Sequence, residues 1–287
     1  MSGDDHWEQV GRDWLSRQPD RLWREFTDRL QVSLLDRWLA APPVRDDGRA
    51  PAALKTDLFD EVAGRGVAHR FLGQGYRTTG IDLSPTIARA AAAQTPGLAA
   101  FTADVRELPF ADDSFDVVFS GSTLDHFALA ADIARSIGEI ARVLRPSGRL
   151  VLTMDNPRNP LVRLRNGPLL GTLRRSGIVP YDVGATLDSD ALADVVRSSG
   201  LRVLEVTSIL HCPRVLAVAL ARIVDRRGDV ARERFIEGAR RFERLERYPT
   251  RFVTGSFVAV LAARPDSRAR TPEPVTSATG DSNPGPG

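Results

Sequence analysis

Along the first forty positions apolar residues recur at spacings of three and four: Trp7, Val10 and Trp14, then Leu22, Phe26, Leu30, Leu34, Leu35 and Trp38. That period predicts amphipathic helices, interrupted near Pro19. Pro42, Pro43, Asp46, Asp47, Gly48 and Pro51 then read as a linker. Beyond it short apolar runs alternate with helical ones. Strands are expected at Leu54 to Phe59, Thr78 to Leu83, Ala99 to Ala103, Phe115 to Ser120 and Arg149 to Met154. Between them lie helical patterns at Val67 to Leu72, Pro85 to Ala93 and Ala128 to Leu144. Strands alternating with helices make βαβ units, so the fold class is α/β with a doubly wound, mostly parallel sheet. Further on, helices are expected at Ser189 to Ser199, Pro213 to Asp225 and Val230 to Arg247, and strands at Arg202 to Thr207 and Phe252 to Ala262. Three regions result: helices and linker at 1–50, a sheet domain at 51–264 with insertions at 155–188 and 208–249, and a Pro/Ser/Thr/Gly-rich disordered tail at 265–287.

Composition narrows the class. The 287 residues are 42% hydrophobic and 26% charged, enough to bury a core. No apolar run is long enough to span a bilayer and the acidic N-terminus is not a secretory signal, so a cytoplasmic chain is expected. One cysteine, Cys212, excludes an intramolecular disulfide and a multi-cysteine metal site. The net charge is +2 and nearly every cation is arginine, Lys55 being the single lysine. Those arginines alternate with acids along the chain, whereas a nucleic-acid binder gathers them into a patch. No nucleic-acid partner, membrane partner or metal is expected, and the apolar late helices and tryptophans would also serve a homodimer interface.

Chemistry is signalled by acids spaced along the strand ends. In an open α/β sheet, ligands sit beyond the carboxyl ends of the strands, where strand order reverses. Asp60 and Glu61 close the expected first strand and lead to Gly64 and Gly66. Asp82 follows about twenty residues on, the separation at which a carboxylate meets ribose hydroxyls in nucleotide-type sites. Asp104 closes the third strand. Lys55 and Asp57, two apart on one strand face, suit a buried ion pair or a contact of Lys55 with a ligand.

Four segments resemble the class I S-adenosylmethionine-dependent methyltransferases, in their small-molecule, type 11-like branch. They are Thr79-Gly80-Ile81-Asp82-Leu83-Ser84-Pro85, Asp104-Val105-Arg106-Glu107-Leu108-Pro109-Phe110, Ser114-Phe115-Asp116-Val117-Val118-Phe119-Ser120, and Arg142-Val143-Leu144-Arg145-Pro146-Ser147-Gly148-Arg149-Leu150. The resemblance implies a Rossmann-like seven-stranded sheet with its last strand antiparallel, and a lid made by the N-terminal helices and the insertions. It implies S-adenosyl-L-methionine as cofactor and S-adenosyl-L-homocysteine as product. By position, Asp82 would accept from ribose, Leu83 pack on adenine, Asp104 accept from the adenine amine, and the Val105 amide donate to the ring. Ser120 and Gly121 would line the cofactor, and Asp60, Glu61, Gly64 and Gly66 would form the loop at its methionine end. Val62 stands where that loop carries its first glycine, with Asp57 a rival for the loop's acid.

Methyl transfer requires alignment, exclusion of water and a place for a proton. His126 is the candidate base, with Asp125 orienting it or capping the following helix. Lys55, Asp155, Asn156, Tyr181 and His211 are candidate substrate contacts. The basic run of Arg158, Arg163, Arg165, Arg174 and Arg175 suits an acidic substrate or plain solvated surface. Asp155 to Pro160 is similar to an element of amino-group DNA methyltransferases but lacks its stacking aromatic. The expected activity is methylation of a small molecule, by default on oxygen with carbon and nitrogen open, in specialised metabolism. The rivals are a relative that retains the cofactor for another reaction, such as cyclisation, and a non-catalytic binding module.

Overall fold

A computed structural model describes residues 7–12, 15, 20–39, 41–45, 47–167 and 184–266. One seven-stranded sheet runs in the order β3-β2-β1-β4-β5-β7-β6. Its strands are β1 (Ala52–Lys55), β2 (Arg77–Asp82), β3 (Ala99–Thr102), β4 (Phe115–Gly121), β5 (Leu144–Asp155), β6 (Arg202–Ile209) and β7 (Phe257–Ala263). The neighbours from β3 through β5 pair in parallel, and β7 pairs antiparallel with both β5 and β6. The expected doubly wound sheet with an antiparallel last strand is therefore the observed one. Strand order reverses between β1 and β4, which opens a crevice at their carboxyl ends.

Central position explains composition. All of β1 is buried, as are Val117, Val118, Phe119 and Ser120 of β4, because helices cover both sheet faces. On one face α6 (Ala130–Val143) sets Ile133, Ile137, Ile140 and Val143 into the core at helical spacing. On the other, α2 (Arg21–Trp38) lays Leu34, Leu35 and Trp38 against Ala53, Val117 and Phe119. The first half of α2, at Leu22, Trp23 and Phe26, packs instead on α9 (Arg214–Val224) and α10 (Asp229–Arg240). A helical segment at 7–12, α1, lies over α5 (Pro85–Gln94): Glu8 accepts from the Ser84 and Thr86 hydroxyls, which hold its carboxyl down at about 2.

Three expectations need correction, one being the last strand, which begins at Phe257 rather than Phe252 because Arg251–Thr254 is a helical turn. The first strand ends at Lys55 rather than Phe59, and Asp60 and Glu61 belong to a short helix, α3 (Phe59–Ala63). The Asp57 carboxylate accepts from the Phe59 amide (2.7 Å) and Asp82 accepts from the Leu58 amide (3.1 Å), so a turn replaces the strand's continuation. The late helix expected through Arg247 stops at Arg240 and continues as a tighter turn, Arg241–Arg247. The other helices are α4 (Ala68–Gly73), α7 (Pro160–Asn166), α8 (Ser189–Ser198) and α11 (Arg251–Thr254).

Candidate active site

A cavity of about 1360 Å3, including its open mouth, occupies the crevice beyond β1, β2 and β4. Thr56 and Asp57 follow β1, Asp82 and Leu83 end β2, and Gly121, Ser122 and Thr123 end β4. Val105 closes the β3 side, while Trp7, Val10, Trp23 and Arg24 from α1 and α2 form the opposite wall. Asp125, His126, Asp155, Arg214 and Phe257 also line it. Aromatic walls with a few convergent polar groups are the usual make-up of a small-molecule site.

Acids dominate near β1. Asp82 accepts from the Ser84 amide (2.8 Å) and the Leu58 amide (3.1 Å), and burial together with nearby Asp57 pushes its carboxyl up to about 7. Asp57 is raised by burial as well. Asp60 pairs with Arg24 of α2 at 3.0 Å. Behind them Lys55, 1% exposed, holds Glu61 at 2.8 Å and Asp57 at 3.8 Å. The same Glu61 carboxylate accepts from the Val67 and Ala68 amides at 2.9 and 3.1 Å. Lys55 is thus a buried structural cation and does not line the cavity.

The glycines serve a different purpose from the one their spacing suggests. Asp28 of α2 accepts from the Arg65 and Gly66 amides at 2.8 and 2.9 Å, and burial with nearby Asp60 pushes it up to about 7. A Cβ on Gly64 would stand 2.4 Å from the Asp28 carboxylate, and one on Gly66 2.3 Å from that of Glu61, where φ is +61°. Glu61, Gly64 and Gly66 do not line the cavity, whereas Asp60 does.

The remaining candidates divide. Leu83, Val105 and Gly121 reach the cavity. Asp104 does not; Arg106 grips it through Nε and Nη2 at 2.6–3.1 Å and holds its carboxyl below the usual range against burial. Ser120 lies beneath the wall, accepting from the Thr56 hydroxyl at 2.9 Å. Asp125 accepts from the Asp155 amide through Oδ2 (2.9 Å), its Oδ1 stands 4.0 Å from His126 Nε2, and burial raises its pKa. His126 is packed edge-on against Trp7, centroids 4.7 Å apart. Asp155 bridges Arg165 and Arg214, the latter at 3.6 Å.

Asn156 and His211 are placed elsewhere. The Asn156 amide donates to the carbonyls of Phe252 and Gly255, tying β5 to the start of β7. His211 sits between Thr254 Oγ1 (2.8 Å) and the Ser208 carbonyl (2.9 Å), its pKa lowered by burial. Tyr181, Arg174 and Arg175 lie outside the described residues. Arg158 is taken up by Asp188 and Asp190, and Arg165 by Asp155, so these two arginines of the insertion are matched by acids. Sequence reasoning missed Trp7, Arg24 and Asp28. Arg24 and Asp28 are one helical turn apart, a visible signal only once α2 is known to face the crevice.

Among the described residues no group of His, Cys, Asp and Glu is arranged to hold a metal ion, and no helix is long and apolar enough to cross a membrane. The family profile described as "Methyltransferase domain" matches residues 61–152. The chain is 32% identical over 158 residues to the 2-phytyl-1,4-naphtoquinone methyltransferase of Nostoc punctiforme, 53% of this chain and 61% of the relative. It is 34% identical over 139 residues to the nocamycin O-methyltransferase of Saccharothrix syringae, 45% of this chain and 49% of the relative. The chain spans between 36% and 61% of the length of the curated relatives it matches. Among solved structures, the [4+2]-cyclase SpnF aligns with a TM-score of 0.54 at 18% identity, covering 83% of this chain and 81% of that one, a likeness of fold. Residues 61–152 thus carry the match to a methyltransferase domain, and the strand order is the Rossmann-like one of the methyltransferases the chain resembles.

Proposed function

We propose that the protein transfers a methyl group from S-adenosyl-L-methionine to a small-molecule acceptor, releasing S-adenosyl-L-homocysteine. The observation that carries this reading is the acid-walled cavity at the β1/β4 switch point with Asp82 at its rim. The donor set fits the cofactor's chemistry. Asp82 keeps lone pairs for ribose hydroxyls beyond its two backbone amides, and Leu83 and Val105 supply apolar surface for a purine. The acid excess around Asp57 and Asp82 suits a cation such as a sulfonium. When bound, the cofactor supplies an already activated methyl group.

The chain's own residues then position, shield and move a proton. Trp7, Trp23 and Phe257 line the cavity and shield it from water, with α1 and α2 acting as its lid. His126, beside Asp125, takes the proton of the attacking group, with oxygen the default nucleophile. The naphtoquinone and nocamycin named for the relatives support a small-molecule acceptor over a polymer, and a role in specialised metabolism.

The test is calorimetric titration of cofactor-free protein with S-adenosyl-L-methionine and with S-adenosyl-L-homocysteine. Micromolar binding of both is expected, followed by methyl transfer in a screen of hydroxylated acceptors. Absence of binding to folded protein would overturn the reading and favour a non-catalytic module.

A further inference from the structure

Resting on that reading, the geometry points to Arg24 and Asp60 as the pair that receives the amino-acid end of the cofactor, in place of the glycine loop. Two backbone amides of that loop, Arg65 and Gly66, are already engaged by the Asp28 carboxylate, and the Val67 and Ala68 amides by Glu61. Both carboxylates are deeply buried, at 3% and 2% exposure, so these amides are turned inward to the protein. The cavity wall at that end offers something else. Arg24 Nη1 meets Asp60 Oδ1 at 3.0 Å, both side chains are more than four-fifths buried, and both residues line the cavity. The Arg24 guanidinium also lies 4.9 Å from the centre of the Phe59 ring, which fixes its plane.

A carboxylate beside an ammonium is the charge pattern of an α-amino acid. An arginine beside an aspartate is its complement. A guanidinium presents five N–H donors in a planar fork and a carboxylate about four lone-pair sites, so each can serve its protein partner and a ligand group together. Asp57, lining the same cavity, sets a second carboxyl group there for an ammonium to meet. Arg24 also comes from α2, so the first helix of the chain becomes part of the cofactor site. The Asp28 clamp, one helical turn further along, holds that helix against the loop after α3.

The experiment compares two ligands in calorimetry: S-adenosyl-L-homocysteine, and 5′-methylthioadenosine, which keeps the nucleoside thioether and lacks the amino-acid group. Wild-type protein should bind the first more tightly. Arg24→Met should weaken it by about tenfold to a hundredfold, the worth of a hydrogen bond to a charged group, while leaving methylthioadenosine binding unchanged. Arg24→Lys should recover part of the loss. Equal weakening of both ligands by Arg24→Met would make the Arg24–Asp60 pair a structural tie and overturn the inference. So would wild-type protein that binds both ligands equally. Failure of wild-type protein to bind either ligand would sink the methyltransferase reading itself, a separate outcome.

Discussion

Lys55 gives the sharpest test of how the centre of the sheet is built. It is 1% exposed in β1, flanked in register by Gly80 of β2 and Phe119 of β4, and its ammonium is 2.8 Å from Glu61. Lys55→Met keeps the length and apolar stem of the side chain and removes only the charge, so its packing cost stays below ~1.5 kcal/mol. What remains is chiefly Glu61, itself 2% exposed and left with the Val67 and Ala68 amides as donors, while Asp57 loses the more distant contact at 3.8 Å and its carbonyl loses a donor. Stranding a buried charge in this way costs about 3–5 kcal/mol, a large share of a typical domain's stability. Adding Glu61→Gln removes the stranded charge while its amide oxygen still accepts from the two backbone amides. The double variant should therefore return to within about 2 kcal/mol of wild type. Burial already raises the Glu61 pKa, and loss of Lys55 raises it further, so the Lys55→Met deficit should shrink at acid pH as Glu61 takes a proton. The assay is urea unfolding followed by tryptophan fluorescence, with the denaturant slope checked for constancy. A Lys55→Met loss under about 1 kcal/mol, or no recovery in the double variant, would refute the assignment of Lys55 as a structural cation.

Three further outcomes are expected. Asp82→Ala should weaken S-adenosyl-L-homocysteine binding at least tenfold and leave the circular dichroism spectrum unchanged; undiminished affinity would remove its ribose role. His126→Ala and Asp125→Asn should slow turnover without altering cofactor affinity, and an unchanged pH–rate profile in both would demote the pair to structure. Asp28, Asp82 and Glu243 are each pushed up to about 7 chiefly by burial, so between pH ~4 and ~7 the folded state holds protons the unfolded chain has released. Their contribution is complete below the usual carboxylate range and is lost as pH rises through 7. Cofactor-free protein should thus unfold at a lower urea concentration at pH 8 than at pH 5.5, the reverse order contradicting these shifts.

The fold was legible because its signals are local. Short apolar runs, runs of period three to four, Ser84-Pro85 opening α5 and Pro146 ending α6's pattern need no knowledge of partners. Asp82 was legible for the same reason, at the end of a strand whose apolar run is plain. The loop after β1 was not, because its conformation is set from outside: the Leu58 amide answers to Asp82, 24 positions away, and the Arg65 and Gly66 amides to Asp28, more than 35 away. Glycine spacing marks close approach without saying what approaches, and here the Asp28 and Glu61 carboxylates stand against Gly64 and Gly66. The contacts of Asn156 and His211 are likewise set from outside. Both are polar residues at strand ends, and both spend their hydrogen bonds on fastening β5 and β6 to the segment that begins β7.

Around the loop after β1, the acids Asp28, Asp57, Asp60, Glu61 and Asp82 outnumber the cations Lys55, Arg24 and the exposed Arg65. Burial raises four of the five, because each carboxylate loses water without gaining enough positive partners. Such an excess is a standing cost unless something positive enters the cavity. A sulfonium nucleoside with an ammonium tail is positive at two points, and the acids that reach the wall, Asp57, Asp60 and Asp82, lie where it would have to pass. The same reasoning explains why an anionic ligand is disfavoured at this end, and why Arg24, already committed to Asp60, tolerates one carboxylate more without inverting the sign of the site. With Val62 where an early glycine is expected and Asp57, Leu58 and Phe59 set beyond β1, the proposed cation site would rest on side-chain charge in place of backbone amides, with the first long helix as part of it.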